Sequence, residues 1–290
     1  MKLIDSHCHL NFSSFKDDYK NIIADCLEKE IGIINVGSQI DTSRRALEIA
    51  NKYINKNIYA VIGLHPIHLS GTEVDEEEVK FKPREEVFKE ENYKKLLDKD
   101  VNNKIIAIGE IGLDYWHVPK DRDLAEIKNL QKNGFIQQLE FAKKNNLPVV
   151  LHARGSKDNP QDAYLDMLQI LKSLITDYGL RITGIIHCFG SSLEIAKKFL
   201  DLGFYIGFTG IITFKNKSVK ELQEVVKAVP LNKILIETDA PYLTPEPYRG
   251  QKNKPQNVEF VARKIAKIKN ISFSEVAEAA TENFEKLFFI

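Results

Sequence analysis

The sequence predicts an α/β fold of the (β/α)₈ TIM barrel type, formed by a single unit over residues 1–290. Three observations carry that prediction. Eight short runs rich in β-branched residues recur along the chain, at 2–5, 32–36, 58–63, 104–109, 148–152, 182–187, 204–207 and 233–237. Helical patterns follow the runs, among them 17–30, 42–53, 124–145, 193–202 and 258–269. Strands alternating with helices imply βαβ units and a parallel sheet, and eight such units close into a barrel. The third observation is that the polar residues with chemical capacity stand at the C-terminal ends of the runs, which in a barrel meet at one rim.

The elements follow in order. The first strand ends in Asp5-Ser6-His7-Cys8-His9, so it lacks the glycine-rich phosphate turn that an open doubly wound sheet would place there. The third ends in Gly63-Leu64-His65-Pro66 and the fourth in Gly109-Glu110-Ile111-Gly112-Leu113-Asp114. His152 closes the fifth, His187 the sixth, and Asp239 follows the eighth. The tail at 273–289 reads as one more helix, capped by Ser272 or Ser274. The segment 72–91 looks like an acidic insertion in the third β-to-α connection, and a solvated loop and helix face is its simplest reading. If it covers the mouth, it would repel a long polyanion.

Composition narrows the function. Lys plus Arg and Asp plus Glu are both 41, so the net charge is zero and nothing draws the whole molecule to a polyanion. Nucleic-acid binding would rest on a local patch. Three cysteines, Cys8, Cys26 and Cys188, argue against a disulfide framework and for a reducing compartment. The N-terminal segment lacks the apolar core of a secretion signal, and no stretch has the length of a membrane span. These features lead us to expect a cytoplasmic protein with no membrane association and no obligate protein partner.

Of seven histidines, five (His7, His9, His65, His152 and His187) lie at expected strand ends. A lone histidine is ordinarily a hydrogen-bonded core residue, but convergence of five at one rim points to a site. Side chains alternate along a strand, so His7 and His9 face the same way and can grip one metal, while Cys8 turns elsewhere. The same alternation would turn Cys188 away from His187. Imidazole mixed with carboxylate suits zinc, manganese or iron, whereas magnesium prefers oxygen. Six ligands, His7, His9, Glu110, His152, His187 and Asp239, exceed the needs of one tetrahedral ion with an open position and suit two ions about 3.5–4 Å apart. Glu110, with two oxygens, is the natural bridge. Asp239 is a ligand, a holder of the nucleophile or the acceptor of its proton.

Several motifs together resemble the TatD family of metal-dependent deoxyribonucleases, within the amidohydrolase-like barrels. They are IDSHCHL at 4–10, GLHP at 63–66, AIGEIGLDY at 107–115, PVVLHAR at 148–154, IIHCFGS at 185–191, YIGFTG at 205–210 and LIETDAPYLTPEPYRGQKNKP at 235–255. The resemblance spans nearly the whole chain and is more specific for fold and metal site than for substrate. It implies one metal held by His7, His9, Glu110 and Asp239, and a second held by Glu110, His152 and His187. Magnesium or manganese are the ions it leads us to expect, with zinc the alternative. His65 matches the family histidine near the scissile phosphate, giving a catalytic set of Asp239, Glu110 and His65.

The activity implied is hydrolysis of phosphodiester bonds in DNA, as a 3′-to-5′ exonuclease on single strands. Barrels often hold phosphate on the loops after their last two strands. Those loops carry Lys215 and Lys217, then Arg249, Lys252 and Lys254. Arg249 and Lys252 are therefore candidate phosphate contacts, with Arg154 beside His152 a third. Tyr115, Trp116, Phe189 and Tyr242 flank the ligand motifs. Packing is the ordinary role of such aromatics, and stacking on a base is the alternative, with Tyr115 the substrate contact we expect. A deacylase of mischarged tRNA or a small-molecule amidohydrolase would use the same metal ligands, because pocket walls and not the fold select the substrate. A non-enzymatic barrel with a closed structural metal site is a third possibility.

Overall fold

The computed structural model describes residues 2–70, 74–76, 79–81, 85–119, 121–177, 179 and 181–290. The strands are β1 (Leu3–Cys8), β2 (Ile31–Val36), β3 (Ile58–Ile62), β4 (Val74–Glu76), β5 (Val79–Phe81), β6 (Ile105–Asp114), β7 (Val149–Arg154), β8 (Gly184–Ile186), β9 (Tyr205–Phe208) and β10 (Ile234–Ile236). Eight of them form one parallel sheet in the order β1-β2-β3-β6-β7-β8-β9-β10. The sheet closes where β1 meets the chain beyond β10. Asp239 N donates to His7 O (2.9 Å) and His9 N to Ala240 O (2.8 Å), so the seam lies between ligand-bearing segments. This is the (β/α)₈ barrel expected from the alternating pattern.

The helices are α1 (Tyr19–Glu28), α2 (Ile40–Asn51), α3 (Pro66–Ser70), α4 (Glu90–Asp98), α5 (Leu124–Lys144), α6 (Asp162–Lys172), α7 (Leu193–Asp201), α8 (Ser218–Ala228), α9 (Val258–Lys269) and α10 (Phe273–Phe288). Polar caps fix several starts: Asp123 accepts from Ala125 N, Ser192 from Ile195 N, and Ser272 and Glu275 form a capping box. Alternation sorts each strand into two faces. Ile4, Ile34, Val61, Val150, Ile185 and Leu235 form one buried cluster with Phe284 and Phe288 of α10. Burying each such aromatic contributes roughly 1.5–3 kcal/mol. Helix α10 thus seals the strand-start end and leaves the opposite end for chemistry. Among the described residues, no helix is long and apolar enough to cross a membrane.

Two boundaries differ from expectation in ways that matter. Strand β1 runs on to Cys8 rather than ending at residue 5. Strand β6 continues to Asp114 instead of stopping at residue 109, so Glu110 lies inside it. Its pairing with β7 is irregular between Ile108 and Ile111, and the Gly109–Glu110 peptide is cis.

Residues 72–73, 77–78 and 82–84 of the acidic insertion lie outside the described residues. Within it, β4 and β5 pair as an antiparallel hairpin. Glu85 approaches Arg122 (3.5 Å) and Glu90 pairs with Lys144 (3.0 Å). None of the described side chains at 85–91 lines the cavity described below.

Candidate metal centre and active-site cavity

The strand ends enclose a cavity of about 660 Å³. His9, His65, Glu110, His152, His187 and Asp239 all line it, and His7 is fully buried against them. Glu110 is the hub. Its Oε2 lies 3.5 Å from His7 Nε2 and 4.0 Å from His9 Nε2. Its Oε1 lies 2.8 Å from His152 Nδ1, 3.5 Å from His65 Nε2 and 3.9 Å from His187 Nε2. Asp239 Oδ1 lies 3.3 Å from His9, 3.7 Å from His7 and 3.6 Å from His187, in each case measured to Nε2. Asp239 is placed by a left-handed backbone (φ 57°), a conformation that costs a non-glycine residue about 1–3 kcal/mol and is held here by its hydrogen bond to His7 O.

Hydrogen bonds assign the ring tautomers. His9 Nδ1 is 2.8 Å from Val36 O, so it carries the proton and Nε2 presents a lone pair. His9 Nε2 stands 3.3 Å from Asp239 Oδ1. His7 Nδ1 is buried with no hydrogen-bond partner, and the His7 and His187 rings stack at 3.5 Å. His187 Nδ1 is likewise buried without a hydrogen bond, and lies 3.1 Å from Glu237 Oε1 as a charge contact. The donor set fits divalent cations: imidazole nitrogens and carboxylate oxygens converge on one cavity, the mixture of ligands that such ions take. His7, His9 and Asp239 form one group whose ligand atoms lie within 4.8 Å of one another, and His7, Glu110 and His187 form another.

Proton affinities reflect the same charge distribution. Burial, with the charge of His187, pushes His7 down to about 4. Burial and the neighbouring His152 also lower His65. Burial would likewise depress His152 and His187, but carboxylates win. Hydrogen bonds to Asp114 and Glu110 lift His152 to about 9, and the charges of Glu237, Asp239 and Glu110 lift His187 to about 10. In turn, burial would raise Glu110, yet the surrounding imidazoles hold it well below the usual carboxylate range.

The sequence reading did not single out Asp114 or Glu237 as site residues. Asp114, 1% exposed, accepts from Trp116 N (3.0 Å) and His117 N (2.9 Å), lies 2.8 Å from His117 Nδ1 and reaches His152 Nε2 at 3.2 Å. Glu237 accepts from Cys188 N at 2.5 Å. Gly207 makes room for it: a Cβ there would overlap Oε1 and stand 2.7 Å from Cδ.

Of the expected substrate contacts, Arg154 and Arg249 line the cavity, with the Arg249 guanidinium 4.1 Å from the Phe214 ring centre. Lys252 and Tyr115 do not line it. Lys252 Nζ donates to Ser14 O and Asp18 Oδ2, both at 2.9 Å. Tyr115 is buried, with its hydroxyl on Asp166 Oδ2 (2.9 Å) and Lys128 over its ring. Cys8 turns from the site toward Ile34 O, as alternation predicts. Cys188 does not turn away. Strand β8 ends at Ile186, and a left-handed backbone (φ 45°) brings Cys188 to the cavity and into one candidate ligand group with His187 and Asp239.

An imidazole–carboxylate nest at the C-terminal mouth of a parallel barrel defines a metal-dependent hydrolase of the amidohydrolase-like class. The family described as TatD related DNase matches residues 4–289, and the chain belongs to it. The chain is 37% identical over 289 residues to the metal-dependent hydrolase YabD of Bacillus subtilis (strain 168), covering 99% of each. It is 32% identical over 295 residues to the metal-dependent hydrolase YcfH of Escherichia coli (strain K12), covering 100% of this chain and 97% of that one. Among solved structures, the TatD homologue YJJV from E. coli K12 superposes with a TM-score of 0.80 at 28% identity, covering 100% of this chain and 98% of that one.

Proposed function

We propose that this hydrolase is a two-cation phosphodiesterase that degrades single-stranded DNA from the 3′ end. The observation that carries the reading is the division of Glu110: Oε2 faces His7 and His9, while Oε1 faces His152, His65 and His187. One carboxylate between two imidazole sets suits a bridge between two ions, with Asp239 completing the first set. When bound, two such cations neutralise non-bridging phosphate oxygens, acidify the attacking water and stabilise the leaving oxygen.

The remaining steps belong to the chain. Asp239, whose pKa the imidazoles lower against the opposing effect of burial, stays ionised to orient the water and take its proton. His65 accepts from Ile67 N at Nδ1 (3.2 Å), which leaves the proton on Nε2, 3.5 Å from Glu110 Oε1 at the cavity wall, where a phosphate oxygen can compete for it. Arg154 and Arg249 supply positive charge in the same cavity of a molecule with no net charge, which favours an anionic substrate. We place the reaction in the cytoplasm, in keeping with three cysteines that form no disulfide.

End-labelled single-stranded DNA incubated with metal-stripped protein, with magnesium, manganese or zinc restored separately, tests the reading. A ladder growing from the 3′ end upon metal addition is expected. Folded, metal-loaded protein that leaves DNA intact but releases amino acids from aminoacyl-tRNA would overturn it in favour of the deacylase.

A further inference from the structure

We infer that Trp116, with Arg154 and Lys157 beside it, forms a binding subsite for one unpaired nucleobase and its adjoining phosphate, separate from the cation ligands. The inference deepens the phosphodiesterase reading and rests on it.

Trp116 is 42% exposed, although large aromatic rings are ordinarily buried, and it lines the cavity that holds the cation ligands. Its backbone is pinned. Trp116 N donates to the buried Asp114 Oδ1 (3.0 Å), and Tyr115 N donates to Arg154 O (2.8 Å). The register pairs Asp114 with Arg154, which brings the side chain of Arg154 to the indole. The Arg154 guanidinium and the Lys157 ammonium each lie 5.3 Å from the ring centre, within the range of cation–π attraction.

An indole held by its backbone and flanked by two cations matches the chemistry of a nucleotide. The flat ring offers a stacking surface to any base, and the cations meet the phosphate beside it. Lys157 is exposed and long, so it can move from the ring edge to an incoming anion. A base inside a duplex is stacked on both faces and must be unpaired to lie on the indole, so the subsite favours single strands. Simple packing does not account for the arrangement, because packing would cover the ring.

Trp116 is the sole tryptophan of the chain, so its fluorescence reports the subsite alone. The probe is a single-stranded phosphorothioate oligodeoxynucleotide, which resists hydrolysis, added to metal-loaded protein. An abasic phosphorothioate strand of equal length keeps the charge and removes the bases. Affinity is read independently by anisotropy of a label on each strand. The base-bearing strand should quench the indole saturably and bind about tenfold more tightly than the abasic strand, the scale of one base–aromatic stack. Trp116→Ala should weaken the base-bearing strand by about tenfold, and Trp116→Phe should retain affinity within about threefold. Equal binding of both strands with unchanged indole emission would overturn the subsite while leaving the phosphodiesterase reading standing. Failure of both strands to bind at all would overturn both. The comparison of strands on the parent protein decides the matter even if Trp116→Ala does not fold.

Discussion

Replacing Asp114 by asparagine isolates the contribution of a buried carboxylate outside the expected ligand set. Asp114 gathers four groups: two backbone N–H groups from Trp116 and His117, the His117 ring and the His152 ring. The amide oxygen can keep the backbone bonds. The amide nitrogen then faces the two rings, and the negative charge is gone. Hydrogen bonds to charged groups contribute about 1.5–3 kcal/mol each, and relief of the buried charge offsets part of the loss. A net destabilisation of about 2–4 kcal/mol follows, or a fall in Tm of about 5–10 °C for a chain somewhat longer than those usually calibrated. Outer-sphere partners of a metal-binding histidine carry about 10- to 100-fold in metal affinity, so the cation held by His152 should weaken by that factor while the His7–His9 cation does not. Competition against a chelating dye resolves two affinities, and circular dichroism follows unfolding. Two unchanged affinities with an unchanged Tm would refute the view that Asp114 positions His152.

Other predictions follow from the same geometry. Gly207→Ala should push Glu237 from His187, costing about 1–3 kcal/mol by overpacking and weakening metal binding at His187, as read by thermal unfolding and metal titration. Arg249→Ala should slow DNA cleavage about tenfold or more, whereas Lys252→Ala should change it less than twofold, because Arg249 lines the cavity and Lys252 lies outside it. Binding of metal near pH 7 should release about two protons per chain, since His152 and His187, raised to about 9 and about 10, must deprotonate to ligate. The sign for stability is the reverse. Their raised pKa values stabilise metal-free protein fully below about pH 6.5, and that contribution is lost as pH rises through about 9 to 10. The Tm gap between metal-loaded and chelated protein should therefore widen from pH 6.5 to 9.5, and a constant gap would contradict the assignment.

Much of this was legible in the sequence, because strand alternation and strand ends are local signals. They gave the eight barrel strands and brought His7, His9, Glu110, His152, His187 and Asp239 together. The limits are also physical. Strand β6 continues past Glu110 through an irregular register, so Asp114 lay beyond the expected strand end. Alternation extended by four residues would have found it, and would have turned Tyr115 away as it turned Cys8. Glu237 closed the expected eighth strand, but β10 ends at Ile236, so alternation does not reach it. Cys188 escaped the rule because its strand had already ended. The partner of Lys252, Asp18, lies 234 residues away, a distance no local pattern spans.

The division of Glu110 between two imidazole sets is the central claim, and counting metal per chain tests it most directly. Elemental analysis of protein exchanged into metal-free buffer after loading, run beside Glu110→Ala and paired with a DNA cleavage assay, is the measurement. The account predicts two ions per chain and metal-dependent cleavage for the parent, and at most one ion without cleavage for a folded variant. One ion per chain in an active parent, or two ions and full cleavage in Glu110→Ala, would contradict it.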